Sequence, residues 1–172
     1  MGMENLKYPI GRFTAPESVT PEMRQAWIVA IATLPQRLES ALTGITEVQL
    51  DTPYRPDGWT VRQVVHHLAD SHVNAYCRLH LALTEDAPTI KPYDEGAWAL
   101  LPDYSLPIGH SLEILRGLHF RWAHLLRSMN EADFQRTFIH PQYGKVYSMD
   151  TMSALYAWHG EHHLGHVKIV IG

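Results

Sequence analysis

Four segments of this 172-residue chain carry apolar residues at the three- and four-residue spacing of an amphipathic helix. They cover roughly residues 20–44, 60–83, 107–129 and 148–170, and segments with the alternating pattern of a half-buried strand are nearly absent. The pattern therefore predicts an all-α fold. We expect one domain, residues 1–172, built as a four-helix bundle with a long connection between helices 2 and 3.

Residues that favour helix ends support these boundaries. Thr20, Thr60 and Ser148 are predicted N-caps, and Pro21 suits the first position of its helix. Pro35 is expected to kink or interrupt the first helix, because proline has no backbone N–H. A Pro-Gln-Tyr-Gly turn within residues 136–148 predicts a short β-hairpin before the last helix.

Composition excludes several classes of function. Asp and Glu outnumber Lys and Arg by 18 to 14, the net charge is −4, and no basic block offers a nucleic-acid surface. No apolar run approaches the roughly 20 residues that span a bilayer, and the N-terminus does not resemble a secretory signal. The single cysteine, Cys77, precludes an intramolecular disulfide. We therefore expect a cytoplasmic protein that binds neither nucleic acid nor membrane.

Histidine is the unusual component, with 12 copies in two clusters. Histidine is the commonest metal ligand in proteins and titrates near neutral pH. The question for function is whether the two clusters meet in the folded chain. The clusters are His66, His67 and His72 in the second predicted helix, and His159, His162, His163 and His166 in the last.

The last helix places two histidines on its apolar face. At 100° per residue, His159 and His163 fall about 20° on either side of the direction of Met152, on consecutive turns. Two imidazoles four residues apart can bind one metal ion, as in the HExxH helix of metalloproteases. His162 and His166 fall toward the edge of this face. The pattern therefore predicts a ligand pair, His159 and His163, that points into the bundle.

The third ligand is expected from the second helix, where spacing is less decisive. His72 lies near the middle of the apolar stripe, His67 to one side, and His66 further out. Periodicity alone slightly favours His72 and leaves the choice open. Asp70 is either a hydrogen-bond acceptor that orients an imidazole or a solvated carboxylate.

Two motifs carry a family resemblance. Residues 58–72, GWTVRQVVHHLADSH, and residues 157–166, AWHGEHHLGH, resemble the second-helix and last-helix motifs of the DinB/YfiT superfamily. Residues 89–104 are similar to the intervening loop. Within the superfamily, the chain is most similar to the YfiT group of metal-dependent hydrolases, which includes bacillithiol transferases. The resemblance covers most of the chain, from about Tyr8 onward.

The resemblance implies a metal site and an assembly. The family holds one divalent ion per subunit, zinc or nickel, with three histidines of a four-helix bundle. Carried over by position, these ligands are His67, His159 and His163, and the expected assembly is a homodimer. Many relatives have Arg-Gly-Gln after the last ligand, where this chain has Leu164-Gly165-His166. That departure leaves the role of His166 open.

Three imidazoles leave coordination positions open on a divalent ion, which is the pattern of catalytic zinc sites. A water at such a position titrates near neutral pH, so the sequence predicts a metal-dependent hydrolase of a small-molecule substrate. The first alternative is a metal-dependent thiol S-transferase of the bacillithiol type, in which the same position holds a low-molecular-weight thiol as thiolate. The second is a non-catalytic metal-binding bundle.

The catalytic residues are not apparent from the sequence, because no carboxylate is clearly placed as a general base. Asp70 and Glu161 are the local candidates, and three histidines are alternative proton carriers. These are His72, His162 and His166.

The remaining marked residues have both a functional and a packing interpretation. The loop aromatics either wall a substrate cleft or plug one end of the bundle. We interpret two tryptophans beside the motifs, and Cys77, as packing residues. The loop aromatics are Tyr93, Trp98 and Tyr104, and the tryptophans are Trp59 and Trp158.

Overall fold

Helices dominate the fold. We describe a computed structural model that covers residues 2–172. In chain order, the elements are α1 (Met3–Lys7), α2 (Pro21–Ala41), α3 (Glu47–Leu50), α4 (Val61–Thr84), α5 (Glu95–Trp98), a 3₁₀ turn (Pro102–Ser105), α6 (Gly109–Ser128), α7 (Glu131–Gln135), β1 (Thr137–His140), β2 (Lys145–Ser148) and α8 (Met149–Ile171). The long helices α2, α4, α6 and α8 form the predicted four-helix bundle.

The predicted N-caps are confirmed. The side chains of Thr20, Thr60 and Ser148 each accept a hydrogen bond from a backbone N–H in the first turn of their helix. The expectation that Pro35 interrupts the first helix is wrong, because α2 runs through this buried residue. A proline still removes the N–H that would bond the carbonyl four residues earlier. That carbonyl belongs to Ile31, and it accepts instead from His119 Nδ1 on α6, at 2.6 Å.

The helices are not arranged in chain order around the bundle. Helix α2 packs mainly on α6 and α8, and α4 packs mainly on the same two helices. The order around the ring is therefore α2–α6–α4–α8, with α2 diagonally opposite α4 and α6 diagonally opposite α8. This arrangement sets α4 and α8, which carry the two histidine clusters, side by side. Within residues 2–172, no helix is long and apolar enough to cross a membrane.

The apolar core consists of two clusters with a layer of histidines between them. Each long helix contributes residues to both clusters. The boundary between the two clusters lies near His72 on α4 and near His119 on α6. On α8, Tyr156 and Ala157 belong to one cluster and Leu164 to the other. The polar layer therefore lies inside the bundle.

The predicted hairpin is confirmed and lies against the long connection. Strands β1 and β2 pair antiparallel, with Ile139 opposite Val146. Ile139 also exchanges backbone hydrogen bonds with the connection, accepting from Ile90 N at 3.0 Å and donating to Pro88 O at 2.9 Å. Helix α5 and the 3₁₀ turn then carry the connection back over α4. The connection is thus a packed cover beside the histidine layer.

Candidate metal centre

Three histidines from α4 and α8 come together inside the bundle. One ring nitrogen each of His67, His159 and His163 lies within 4.8 Å of the other two. The Nε2 atoms of His67 and His159 are 3.3 Å apart. His67 and His163 are buried, whereas His159 remains partly accessible. These are the three residues that the family resemblance selects, and their binding of a metal ion stays a prediction.

The geometry of this triad fits a divalent cation. Two nitrogens at about 2.0–2.1 Å from a tetrahedral zinc ion are about 3.3–3.4 Å apart, which is the spacing of the His67 and His159 Nε2 atoms. The buried Nδ1 atom of His67 has no hydrogen-bond partner. All three donors are imidazoles, which suit zinc and nickel. The Nε2 pair can therefore share one proton or accommodate one cation.

Burial keeps these imidazoles neutral, which is the form that binds metal. Desolvation lowers the pKa of His67 to about 4. It lowers the pKa values of His159 and His163 well below the ordinary value, and the neighbouring histidines lower them further. At neutral pH, the ligands need not lose a proton before an ion binds.

His72, which periodicity slightly favoured as the third ligand, lies behind His159 rather than beside it. Its Nε2 is 3.0 Å from His159 Nδ1, and its Nδ1 is 2.8 Å from His119 Nε2. Both His72 nitrogens are therefore occupied by other imidazoles. The structure brings His67, and not His72, into the triad.

His162 and His166, predicted toward the edge of the apolar face, are nevertheless buried. The N-terminal segment crosses this side of α8, where Lys7 O lies 3.2 Å from His166 Nε2. Tyr54 stacks on the His166 ring with centroids 3.8 Å apart. Helical periodicity contains no information about a segment that packs from elsewhere in the chain. His162, His163 and His166 form a second possible ligand group that shares His163 with the triad.

Two expectations for the second helix are also corrected. His66 does not point outward but is buried, 2.7 Å from Ser111 Oγ and 3.0 Å from Leu106 O. Asp70 accepts a 2.6 Å hydrogen bond from the Tyr104 hydroxyl rather than from an imidazole. Burial raises the pKa of Asp70. Tyr104 therefore belongs to the packing between connection and bundle, as in the plug interpretation.

Three other residues differ from their predicted roles. Glu161, the other carboxylate considered as a general base, forms an ion pair with Arg37 of α2. Its carboxylate is therefore already engaged. Cys77 is exposed, so the packing interpretation of its thiol is wrong. Trp158 stacks on His162, with centroids 4.5 Å apart, and lines a cavity. Trp59 packs against the core and also tilts over His67, with centroids 4.6 Å apart.

Two cavities adjoin the triad, the smaller at His159 alone and the wider at all three histidines. A cavity of about 190 Å³ is lined by aromatic side chains, including Tyr93, and by Arg78. A wider, more polar cavity of about 430 Å³ is lined by all three triad histidines and by Arg55. Both cavities share His159 and Glu95 as lining residues. The Tyr93 ring, backed by Trp98 at 4.4 Å between centroids, is thus a wall of the smaller cavity.

Sequence reasoning missed two residues of this region. Glu95, at the start of α5, is the acidic group that the two cavities share, and desolvation raises its pKa. It lies far from both histidine motifs along the chain, and only the folded connection brings it near. His119 sits between Leu115 and Trp122 at helical spacing on α6. Helical periodicity, which placed His159 and His163 on the apolar face of the last helix, also places His119 on the apolar face of α6.

The chain is similar to known proteins along almost its whole length. The model of the DinB superfamily matches residues 30–167. A Bacillus cereus protein named "putative metal-dependent hydrolase" is 52% identical over 165 residues, covering 96% of this chain and 95% of its own length. A Bacillus anthracis protein of the same name is equally similar.

A solved structure shows the same architecture. It is that of YfiT from Bacillus subtilis, described as "a probable metal-dependent hydrolase with an unusual four-helix bundle topology". It superimposes with a TM-score of 0.93 at 46% identity and covers 95% of this chain and 94% of that one. The present chain belongs to the DinB superfamily and is of the YfiT type.

Proposed function

We propose that the protein is a metal-dependent hydrolase whose divalent ion, zinc or alternatively nickel, is bound by His67, His159 and His163. The observation that carries this proposal is the triad of neutral imidazoles, two of them buried, at the junction of two cavities. A divalent ion held by three imidazoles retains open positions, where it polarises a substrate carbonyl and acidifies water. The names of the relatives support the same reaction class.

Glu95 is the residue that we assign as general base. It lines both cavities with His159, which makes its carboxylate available to a water at the junction of the cavities. Asp70 and Glu161 are engaged by Tyr104 and Arg37, respectively. The carboxylate of Glu95 would accept the proton of the attacking water and return it to the leaving group.

Metal analysis tests the ligand assignment. We expect about one divalent ion per chain, and the alanine variants of His67, His159 and His163 should each lose it. His162→Ala is the matched control, because His162 belongs only to the second possible ligand group. If His162→Ala lost the ion and His67→Ala retained it, the ligands would instead be His162, His163 and His166.

Hydrolysis of a panel of 4-nitrophenyl esters and anilides tests the reaction class. The zinc-loaded protein should hydrolyse a subset without added thiol, and removal of zinc should abolish turnover. Glu95→Gln should lower kcat by 10²–10⁴-fold while retaining the ion, which is the usual contribution of a general base. Turnover that survives complete removal of the ion would contradict the proposal.

The two cavities specifically favour a thiol S-transferase as the second candidate. Water needs no cavity of its own, whereas a group transfer needs a place for the thiol and one for the electrophile. The polar and aromatic cavities meet at His159 and suit two different partners. Metal-dependent conversion of a low-molecular-weight thiol with monochlorobimane, without ester or amide hydrolysis, would establish this candidate. A protein that retains the ion and does neither is a binding bundle.

A further inference from the structure

A chain of hydrogen-bonded imidazoles leads from the triad across the bundle. His159 Nδ1 lies 3.0 Å from His72 Nε2, and His72 Nδ1 lies 2.8 Å from His119 Nε2. His119 Nδ1 ends the chain at the carbonyl oxygen of Ile31, 2.6 Å away. His72 and His119 are completely buried. The Ile31 carbonyl is available because Pro35, four residues later, has no N–H to donate to it.

The carbonyl at the end of this chain fixes the direction of every hydrogen bond in it. A carbonyl only accepts, so His119 must carry its proton on Nδ1. His72 and His119 are completely buried and bond only to imidazoles and a carbonyl, so each ring is neutral and has one N–H. His119 Nε2 then accepts from His72 Nδ1, and His72 Nε2 accepts from His159 Nδ1. The lone pair of His159 is left on Nε2, the atom that faces His67.

A shorter chain acts on the other α8 member of the triad in the same way. Lys7 O accepts from His166 Nε2 at 3.2 Å, so the lone pair of His166 is on Nδ1. That atom lies 3.3 Å from His163 Nδ1, which therefore donates to it. The lone pair of His163 is left on Nε2. Two independent chains thus impose the same tautomer on both α8 histidines.

We propose that His72, His119 and His166 are positioning residues that hold His159 and His163 as Nδ1–H tautomers, with each Nε2 lone pair presented to the metal ion. This inference rests on the ligand assignment of the proposed function. Partners of this kind fix the ring orientation of ligating histidines and raise their basicity. Their loss typically lowers metal affinity by about 10–100-fold.

The first test measures the tautomers in the metal-free protein, independently of any activity. Ring ¹⁵N chemical shifts, assigned with His159→Gln, should show a protonated Nδ1 and an unprotonated Nε2 for His159. In His72→Leu the acceptor is gone, and the two nitrogens should shift toward a mixture of tautomers. A wild-type His159 that carries its proton on Nε2 would overturn the proposal, even if every variant failed to fold.

The second test measures zinc affinity by competition with a chelator. His72→Leu should weaken zinc binding about 10–100-fold, and His72→Gln, whose amide oxygen can accept the His159 proton, should restore most of it. His66→Leu is the matched control, because His66 is also buried on α4 but bonds to Ser111 and Leu106 outside both chains. Equal losses in His66→Leu and His72→Leu would indicate a merely structural role and overturn the proposal.

Arg78 carries a second, independent inference about the smaller cavity. Among residues 2–172, no carboxylate oxygen lies within 4.0 Å of its guanidinium nitrogens. Its positive charge acts on the phenols of Tyr93, Tyr147 and Tyr156, whose pKa values are nevertheless raised by burial. The cavity therefore combines a guanidinium that has no carboxylate of the described residues within 4.0 Å with phenolic hydroxyls, aromatic walls and, on the wall shared with the wider cavity, Glu95.

We infer that this cavity binds the carboxylate of an anionic, partly apolar substrate, with Arg78 as the recognising group. A guanidinium binds a carboxylate through two parallel hydrogen bonds, and the phenolic hydroxyls can donate to the same oxygens. Glu95 lies on the wall that this cavity shares with the wider one. The inference narrows the substrate class of the proposed function.

Binding of two matched probes to the metal-free protein tests this inference without any turnover. By ligand-observed NMR, 3-phenylpropionate should bind at least 10-fold more tightly than 3-phenylpropanol, and Arg78→Met should remove the difference. Arg55→Met, which changes the wider cavity, is the control and should retain the preference for 3-phenylpropionate. Equal binding of the two probes, or an unaltered preference in Arg78→Met, would refute the inference. Since no metal is present, this result is independent of whether the protein is a hydrolase.

Discussion

At the scale of single residues, the buried histidines couple the stability of the protein to pH. His119 has a pKa of about 4 in the fold because of its burial, against about 6.5 when exposed. Between these two values the unfolded chain binds the proton and the folded chain does not. Acidification therefore favours unfolding in this range. One such histidine contributes a loss of about 2 kcal/mol in unfolding free energy between pH 7 and pH 5.

Replacing His119 should reduce this pH dependence. Urea unfolding of the metal-free protein measures this effect. Between pH 7 and pH 5, the unfolding free energy of His119→Gln should fall by about 2 kcal/mol less than that of the wild type. His110→Gln, at an exposed position of the same helix, should follow the wild type. If the unfolding free energies of the wild type and His119→Gln changed in parallel with pH, the pKa of His119 would be the same in the folded and unfolded chains, which would contradict the prediction.

Predictability of the site also has a limit at this scale. The pair His159 and His163 follows from the spacing of four residues on an apolar face, because one helix alone determines it. His67 and His72 point about 140° apart on α4, and the choice between them depends on how α4 is rotated against α8. Packing of the whole bundle sets that rotation. The family motif, and not periodicity, therefore selected His67.

At the scale of elements, the contact between α2 and α8 depends on a glycine. A Cβ atom at Gly160 would lie 2.6 Å from Leu34 Cδ2, and Leu34 is buried. Gly160→Ala should therefore destabilise the protein by about 1–3 kcal/mol through overpacking, despite its better helix propensity. Thermal or urea unfolding of the metal-free variant measures the loss.

Gly117 on α6 provides the matched comparison, since nothing lies within 4 Å of a Cβ built there. Gly117→Ala should stabilise the protein by about 0.5–1 kcal/mol, because only the backbone entropy changes. If both alanine variants gained stability, the close approach of α2 and α8 at Gly160 would be disproved. The helices and caps were predictable from local signals, whereas this contact required the packed structure.

At the scale of the whole molecule, an ion bound to the triad links α4 to α8. The ion binds only the folded protein, so it should raise the unfolding free energy by about 4 kcal/mol at a free concentration 1,000-fold above its Kd. Differential scanning calorimetry with zinc should show a corresponding rise in Tm. The rise should vanish in His163→Ala and persist in His162→Ala. An equal rise in both variants would place the stabilising ion elsewhere.

The order of the helices around the ring was not predictable from the chain, because four amphipathic helices can pack in several topologies with equally buried apolar faces. The folded chain also contains contacts of the N-terminal segment with α8, such as that of Gly165 with Pro9. These are contacts between residues distant in sequence. Local patterns therefore indicate four helices and not their arrangement.

The placement of α4 beside α8, far apart in sequence, has a consequence for biosynthesis. His67 and His159 are separated by 92 positions along the chain, and α4 meets α8 only when the last helix docks. A ribosome-bound chain that lacks α8 offers an ion a single imidazole of the triad, which is too weak a site to compete with cellular chelators. If the triad binds an ion as we propose, loading must follow the closing step of folding, and the cellular supply of metal should not influence how the earlier helices form.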